Sequence, residues 1–214
     1  MPSVGQVERN TQARIVALLR DRLVVLDKLG WIKRQRAQFA RQPRQSEREM
    51  VNGESHYFLG QRYRLRVHVQ EGKPRVAVRG VASLDLFVRP GTAPDQREAV
   101  LLAWHREQLK VLASGLLAQW QPAVGVQVAA WGVKKMKTKW GSCNAEARRI
   151  WLNLELAKKP VQCLEYIVVH ELVHLLERRH SDQFSALMDR HLPDWRSRRA
   201  LLNGAPLGHE EWGY

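Results

Sequence analysis

From Ile167 to Leu176 every side chain is apolar except His170, Glu171 and His174. Such a run is expected to form a buried helix, and burying two imidazoles and a carboxylate is costly unless something binds them. The order His170-Glu171-Leu172-Val173-His174 suggests what that is. At about 100° and 1.5 Å per residue, positions four apart lie roughly 40° apart around a helix and about 6 Å apart along it. Two imidazoles so placed can converge on one ion at the ~2.0–2.1 Å that zinc requires. Glu171 falls on the neighbouring azimuth, where its carboxylate reaches a metal-bound water as a general base without displacing it. Zn2+ is therefore the expected cofactor, with His170 and His174 as ligands.

Catalytic zinc sites use three protein ligands and keep a position for water, whereas structural sites are closed by four. His180 is the expected third ligand. Ten residues beyond His170 on an unbroken helix it would lie about 15 Å further along the axis, so the helix must end near Arg178 or Arg179 and the chain must fold back. Ser181, a good N-cap for a further helix, fits that break. Asp182 and Asp194 stay open as alternatives, because carboxylates also bind zinc.

Around this helix the periodicity alternates between helix and strand. Residues 11–39 read as a helix with a basic far end, followed by a polar linker from Pro43 to Ser46. Tyr63, Leu65, Val67 and Val69 alternate with Arg62, Arg64, Arg66 and His68, and Glu71-Gly72-Lys73-Pro74 reads as a turn. Residues 55–90 are expected to form an antiparallel meander with one apolar and one arginine-rich face. A long helix is expected over residues 95–120, then strands at 124–131, 134–143 and 149–154. The buried helix should run over 161–178, with further helices from Ser181 to His191 and from Pro193 to Leu202. Two modules follow: residues 1–90, a basic helix and meander, and residues 91–214, which carry the histidines.

Charge divides along the same line. The 214 residues carry a net +14; residues 1–90 hold 18 Lys and Arg against 8 Asp and Glu, and residues 91–214 hold 17 against 13. A basic front portion suits a nucleic acid or acidic protein partner, although a solvated face explains the same residues. Lys135, Lys137 and Lys139 alternate similarly, and a strand there could pair its free edge with an extended peptide. Cys143 and Cys163 have no spaced partner and are expected to be reduced core residues. Neither a signal-peptide profile nor an apolar run of membrane-spanning length is seen, so a cytoplasmic protein without membrane association is expected.

A set of shorter motifs surrounds the histidines: Lys139-Trp140-Gly141-Ser142-Cys143, Leu152-Asn153, Tyr166 through His174, then His180-Ser181 with Phe184. Together with Tyr57-Phe58-Leu59-Gly60 and Tyr63, over roughly residues 50–200, the chain resembles the YgjP-like metal-dependent hydrolases, neighbours of the SprT-like zinc proteases. The resemblance implies an α+β fold: a zincin-like module with a small antiparallel sheet and the H-E-x-x-H helix. It also implies His180, before Ser181, as third ligand. The favoured activity is zinc-dependent hydrolysis of amide bonds in a peptide or protein substrate, with Glu171 activating the water. Hydrolysis of a small anionic substrate such as a nucleotide, and nucleic-acid binding around a structural zinc, are the two rival expectations.

Overall fold

The computed structural model describes Gly30 and residues 49–204. Apart from Gly30, the helix expected at 11–39 and the linker after it lie outside the described residues. Gln45–Tyr214 forms one compact unit. The junction expected at residues 90/91 is the loop between a first sheet and a long helix, inside that unit.

The first sheet contains β1 (Ser55–Phe58), β2 (Gln61–Val69), β3 (Arg75–Arg79) and β4 (Ser83–Val88) in the order β1-β2-β4-β3. The antiparallel meander is corrected here: β2 pairs with β4 in parallel, and β3 joins the far side of β4. The reason is burial. Leu84, Leu86 and Val88 of β4 are at most 1% exposed, while β3 offers only half-buried Val76 and Ala77. The most apolar strand takes a central place, and the weaker one becomes an edge. Glu71–Pro74 is thus part of a crossover, and the hairpin turn is made instead at Gly80, with φ of 58°.

The next element, α1 (Pro94–Val124), is started by Pro94 and stopped by Gly125 in the left-handed conformation. Its buried positions Leu101, His105, Leu109, Ala113 and Leu117 recur every four residues, the stripe of a helix packed along one side. Leu101 enters the core of the first sheet, and Leu109 to Val124 enter a second, larger core. One helix therefore serves both.

The second sheet has β5 (Ala130–Lys134), β6 (Gly141–Asn144) and β7 (Arg149–Asn153) in the order β5-β7-β6. The sheet is mixed: β5 runs parallel to β7, and β6 is antiparallel to it. The strand expected over 134–143 is interrupted, since Lys135, Lys137 and Lys139 lie in the loop between β5 and β6. A 3-10 turn (Leu154–Lys158) leads into α2 (Val161–Val173), followed by α3 (Asp182–His191) and α4 (Trp195–Gly204). The β1–β2 turn is fastened to this region through Leu59 N–H to the Ala157 carbonyl, 2.9 Å, and Gly60 N–H to Lys158, 3.1 Å. Gly60 has φ of 82°, and a Cβ there would lie 2.6 Å from Pro160 Cγ. Only glycine lets that turn rest against the residue that opens α2. Among the described residues no helix is long and apolar enough to cross a membrane.

Candidate metal centre

Nine of the side chains on α2, including Glu171, are buried, so this is a core helix rather than an amphipathic surface one. His170 is within it, and His174 closes its last turn through a backbone bond to the His170 carbonyl. The helix stops at Val173, earlier than the expected Arg178. Glu177 holds the turn that follows, a role the sequence did not show. Its carbonyl accepts from His174 Nδ1 at 3.0 Å, and its carboxylate caps the backbone N–H of Arg179 at 2.8 Å. The chain then reverses to His180 without a left-handed residue, and Ser181 caps α3 through Phe184 N–H, 3.3 Å.

The reversal brings the three Nε2 atoms into a near-equilateral triangle: 3.2 Å for His170–His174, 3.2 Å for His174–His180 and 3.1 Å for His180–His170. Four ligands held tetrahedrally at 2.0–2.1 Å are separated by about 3.3–3.4 Å, so the triangle fits one face of such a shell. Hydrogen bonding does not account for it. A neutral imidazole has one N–H, and that of His174 is committed at Nδ1 to Glu177, which leaves a lone pair on its Nε2. Burial, reinforced by His174 and His180, pushes His170 down to about 3, and burial lowers His174 as well. His170 and His174 are thus kept neutral, the form that ligates a metal. Phe184 packs against all three, with ring centres 4.7–4.9 Å away. Among the described residues this is the group of donors close enough to share an ion. Neither Asp182 nor Asp194 joins it, and Asp194 is held by Arg198 at 2.9 Å.

Glu171 lies beside the triangle, 4% exposed. Burial pushes its carboxyl up to about 8, and Lys139 pulls it back down. Its place is made by the Lys139–Cys143 motif. A Cβ on Gly141 would lie 2.9 Å from the Cγ and Cδ of Glu171, so glycine leaves the space the carboxylate occupies. Asn153 fixes that loop: its amide donates to the carbonyls of Met136 (2.9 Å) and Lys139 (2.8 Å). These supporting roles depend on contacts between distant segments, which periodicity does not show. Cys143 is a neutral thiol, pushed up to about 11 by burial and by Glu171.

His170, His174, His180, Glu171 and Cys143 face a cavity of about 1020 Å³ whose lining also includes Lys139, Tyr166, Arg178 and Arg199. Edge strand β6 forms another part of its wall. Tyr166 is 5% exposed, stacked on Trp195 and edge-on to His170. It too was missed as a site residue, though its position four before His170 repeats the spacing of the two helix histidines. An α+β fold with this helix, a converging donor set and an open cavity defines a metal-dependent hydrolase of the zincin-like kind. The family model for the YgjP-like metallopeptidase domain matches residues 11–205, nearly the whole chain, and the chain belongs to that family. A search of the curated proteins finds no match.

Proposed function

We propose that the protein is a zinc metallopeptidase in which His170, His174 and His180 hold the ion and Glu171 is the general base. The observation that carries this is the Nε2 triangle beside a buried carboxylate at the wall of a large cavity. When bound there, zinc supplies Lewis acidity, polarising the scissile carbonyl and acidifying a water. Glu171 accepts the proton of the attacking water and passes it to the leaving amine. His174 is kept in the ligating tautomer by Glu177. The free edge of β6 can take an extended peptide as an added strand, with main-chain bonds for affinity. Three histidines, rather than four protein ligands, among the described residues favour a catalytic over a structural ion.

The cavity also carries its own cations, Lys139, Arg178 and Arg199, which would serve the rival anionic substrate such as a nucleotide. The arginines of β2 are not part of its lining. The protein should be assayed with unfolded protein and with a panel of phosphorylated metabolites, before and after chelation and zinc restoration. Zinc-restored cleavage of peptide bonds is expected. Zinc-restored turnover of the metabolites alone would transfer the site to the rival substrate class.

A further inference from the structure

The metallopeptidase reading leaves one step without a protein group: the carbonyl oxygen becomes an anion when water attacks, and Glu171 cannot stabilise it. Helix geometry shows where a donor has to stand. Taking His170 as the origin, at about 100° per residue His174 lies near +40°, Glu171 near +100° and Tyr166 near −40° around α2. Glu171 and Tyr166 therefore flank the two histidines from opposite sides. If water is activated on the Glu171 side, the carbonyl oxygen falls on the side of Tyr166.

Tyr166 is nearly buried, yet among the described residues its hydroxyl takes part in no hydrogen bond. The hydroxyl is not among the buried polar atoms that lack a partner, so it is open to solvent. Its ring is fixed between Trp195, with centroids 6.3 Å apart at 11°, and the edge of His170 at 5.6 Å. Side-chain packing thus fixes the ring of a residue that lines the cavity, where a substrate can supply an acceptor. Arg199, from α4, lines the same cavity. Its neighbours Arg196 and Arg198 pair with Asp189 and with Glu165 and Asp194, whereas Arg199 has no carboxylate partner among the described residues. This part of the wall carries the positive charge of Arg199 beside the Tyr166 ring.

We propose that Tyr166 is a catalytic residue of this peptidase, donating its phenolic hydrogen bond to the oxyanion that forms at the scissile carbonyl. The inference rests on the metallopeptidase reading. In the step, the water oxygen bonds to the carbonyl carbon while the π pair moves to the carbonyl oxygen, and the water proton goes to Glu171. The Tyr166 O–H donates without transferring its proton. Collapse restores the carbonyl, breaks the C–N bond and returns the proton from Glu171 to the amine.

The test is Tyr166→Phe in the zinc-loaded full chain. Phenylalanine keeps the stacking on Trp195 and His170 and removes only the hydroxyl. Zinc content and Tm should match the wild type, and KM for a peptide should stay within about twofold. The kcat should fall by about 10²–10³-fold, the usual effect of removing one oxyanion donor. A phosphinic peptide, whose tetrahedral oxygens mimic the oxyanion, should bind the variant at least about tenfold more weakly by calorimetry. An active wild type with an equally active Tyr166→Phe, or a variant whose lost activity follows lost zinc or lost Tm, overturns the proposal alone. A wild type inert towards peptides and unable to bind the phosphinic peptide sinks the metallopeptidase reading, and the proposal with it.

Discussion

Asp85 of β4 and Glu171 of α2 are both carboxylates no more than 5% exposed, in two halves of one compact unit. Asp85 has company, with Arg79 Nε at 3.3 Å and His68 Nε2 at 3.3 Å. Glu171 has no hydrogen bond or ion pair among the described residues, and it faces the cavity of about 1020 Å³. Two histidines repeat the contrast. Burial pushes both His105 and His170 down to about 3. His105, 1% exposed and packed on Phe58 and Trp104, borders a void of only about 20 Å³, room for about one water. His170 faces two other imidazoles across an ion-sized gap. The same burial is a packing feature beside the first sheet and a readiness to bind on α2. What separates them is the space each group faces.

The largest expected effect is on metal. His170→Ala or His174→Ala should abolish bound zinc and His180→Ala should weaken it strongly, whereas Asp85→Ala should cost stability and leave zinc in place. Metal analysis of the purified variants checks this, and full zinc in His180→Ala would bring Asp182 and Asp194 back as ligands. Next comes Gly141→Ala. The added methyl group overlaps Glu171 and should displace its carboxylate, lowering peptide cleavage by about 10²-fold or more while zinc stays bound. Unchanged cleavage would mean that Glu171 can shift without consequence.

A smaller effect concerns acid. His105 has a folded value of about 3 against 6.5 for the free side chain, so between those pH values the unfolded chain binds more protons. Stability is then fully present above about pH 6.5 and declines as pH falls toward 3, by on the order of a few kcal/mol. His105→Leu should flatten denaturant-measured stability over that window. An unaltered slope would assign acid sensitivity elsewhere. The smallest effect on catalysis is expected from replacing Arg62, Arg64 and Arg66 together, since their exposed side chains lie away from the cavity. Zinc content and cleavage should not change. If this face meets nucleic acid, binding should fall steeply with salt and the triple variant should flatten the slope; an unchanged slope leaves a solvated face.

The three-histidine cluster was largely legible because its main spacing is local. His170 and His174 need only one helical turn, and His180 needs only a break before a capped helix. Less local features were not legible. The parallel pairing of β2 with β4 depends on which strand is most deeply buried, a competition that alternation within each strand does not reveal. After the early end of α2, Glu177 bonds back to His174 and forward to Arg179, where a helical pattern would simply continue. The space that Gly141 leaves for Glu171, and the grip of Asn153 on the loop before it, arise between segments far apart in sequence. Phe184 was visible as a motif residue, but its contact with all three imidazoles exists only once α3 has folded back.

Glu171→Gln tests the central claim most directly, because it separates holding the ion from using it. The amide keeps the volume against Gly141 and cannot accept a proton at neutral pH. Zinc content and Tm should equal those of the wild type, and peptide cleavage should fall by at least about 10²–10⁴-fold. Loss of zinc would make Glu171 a ligand or the support of one, and retained cleavage would contradict its role as the base.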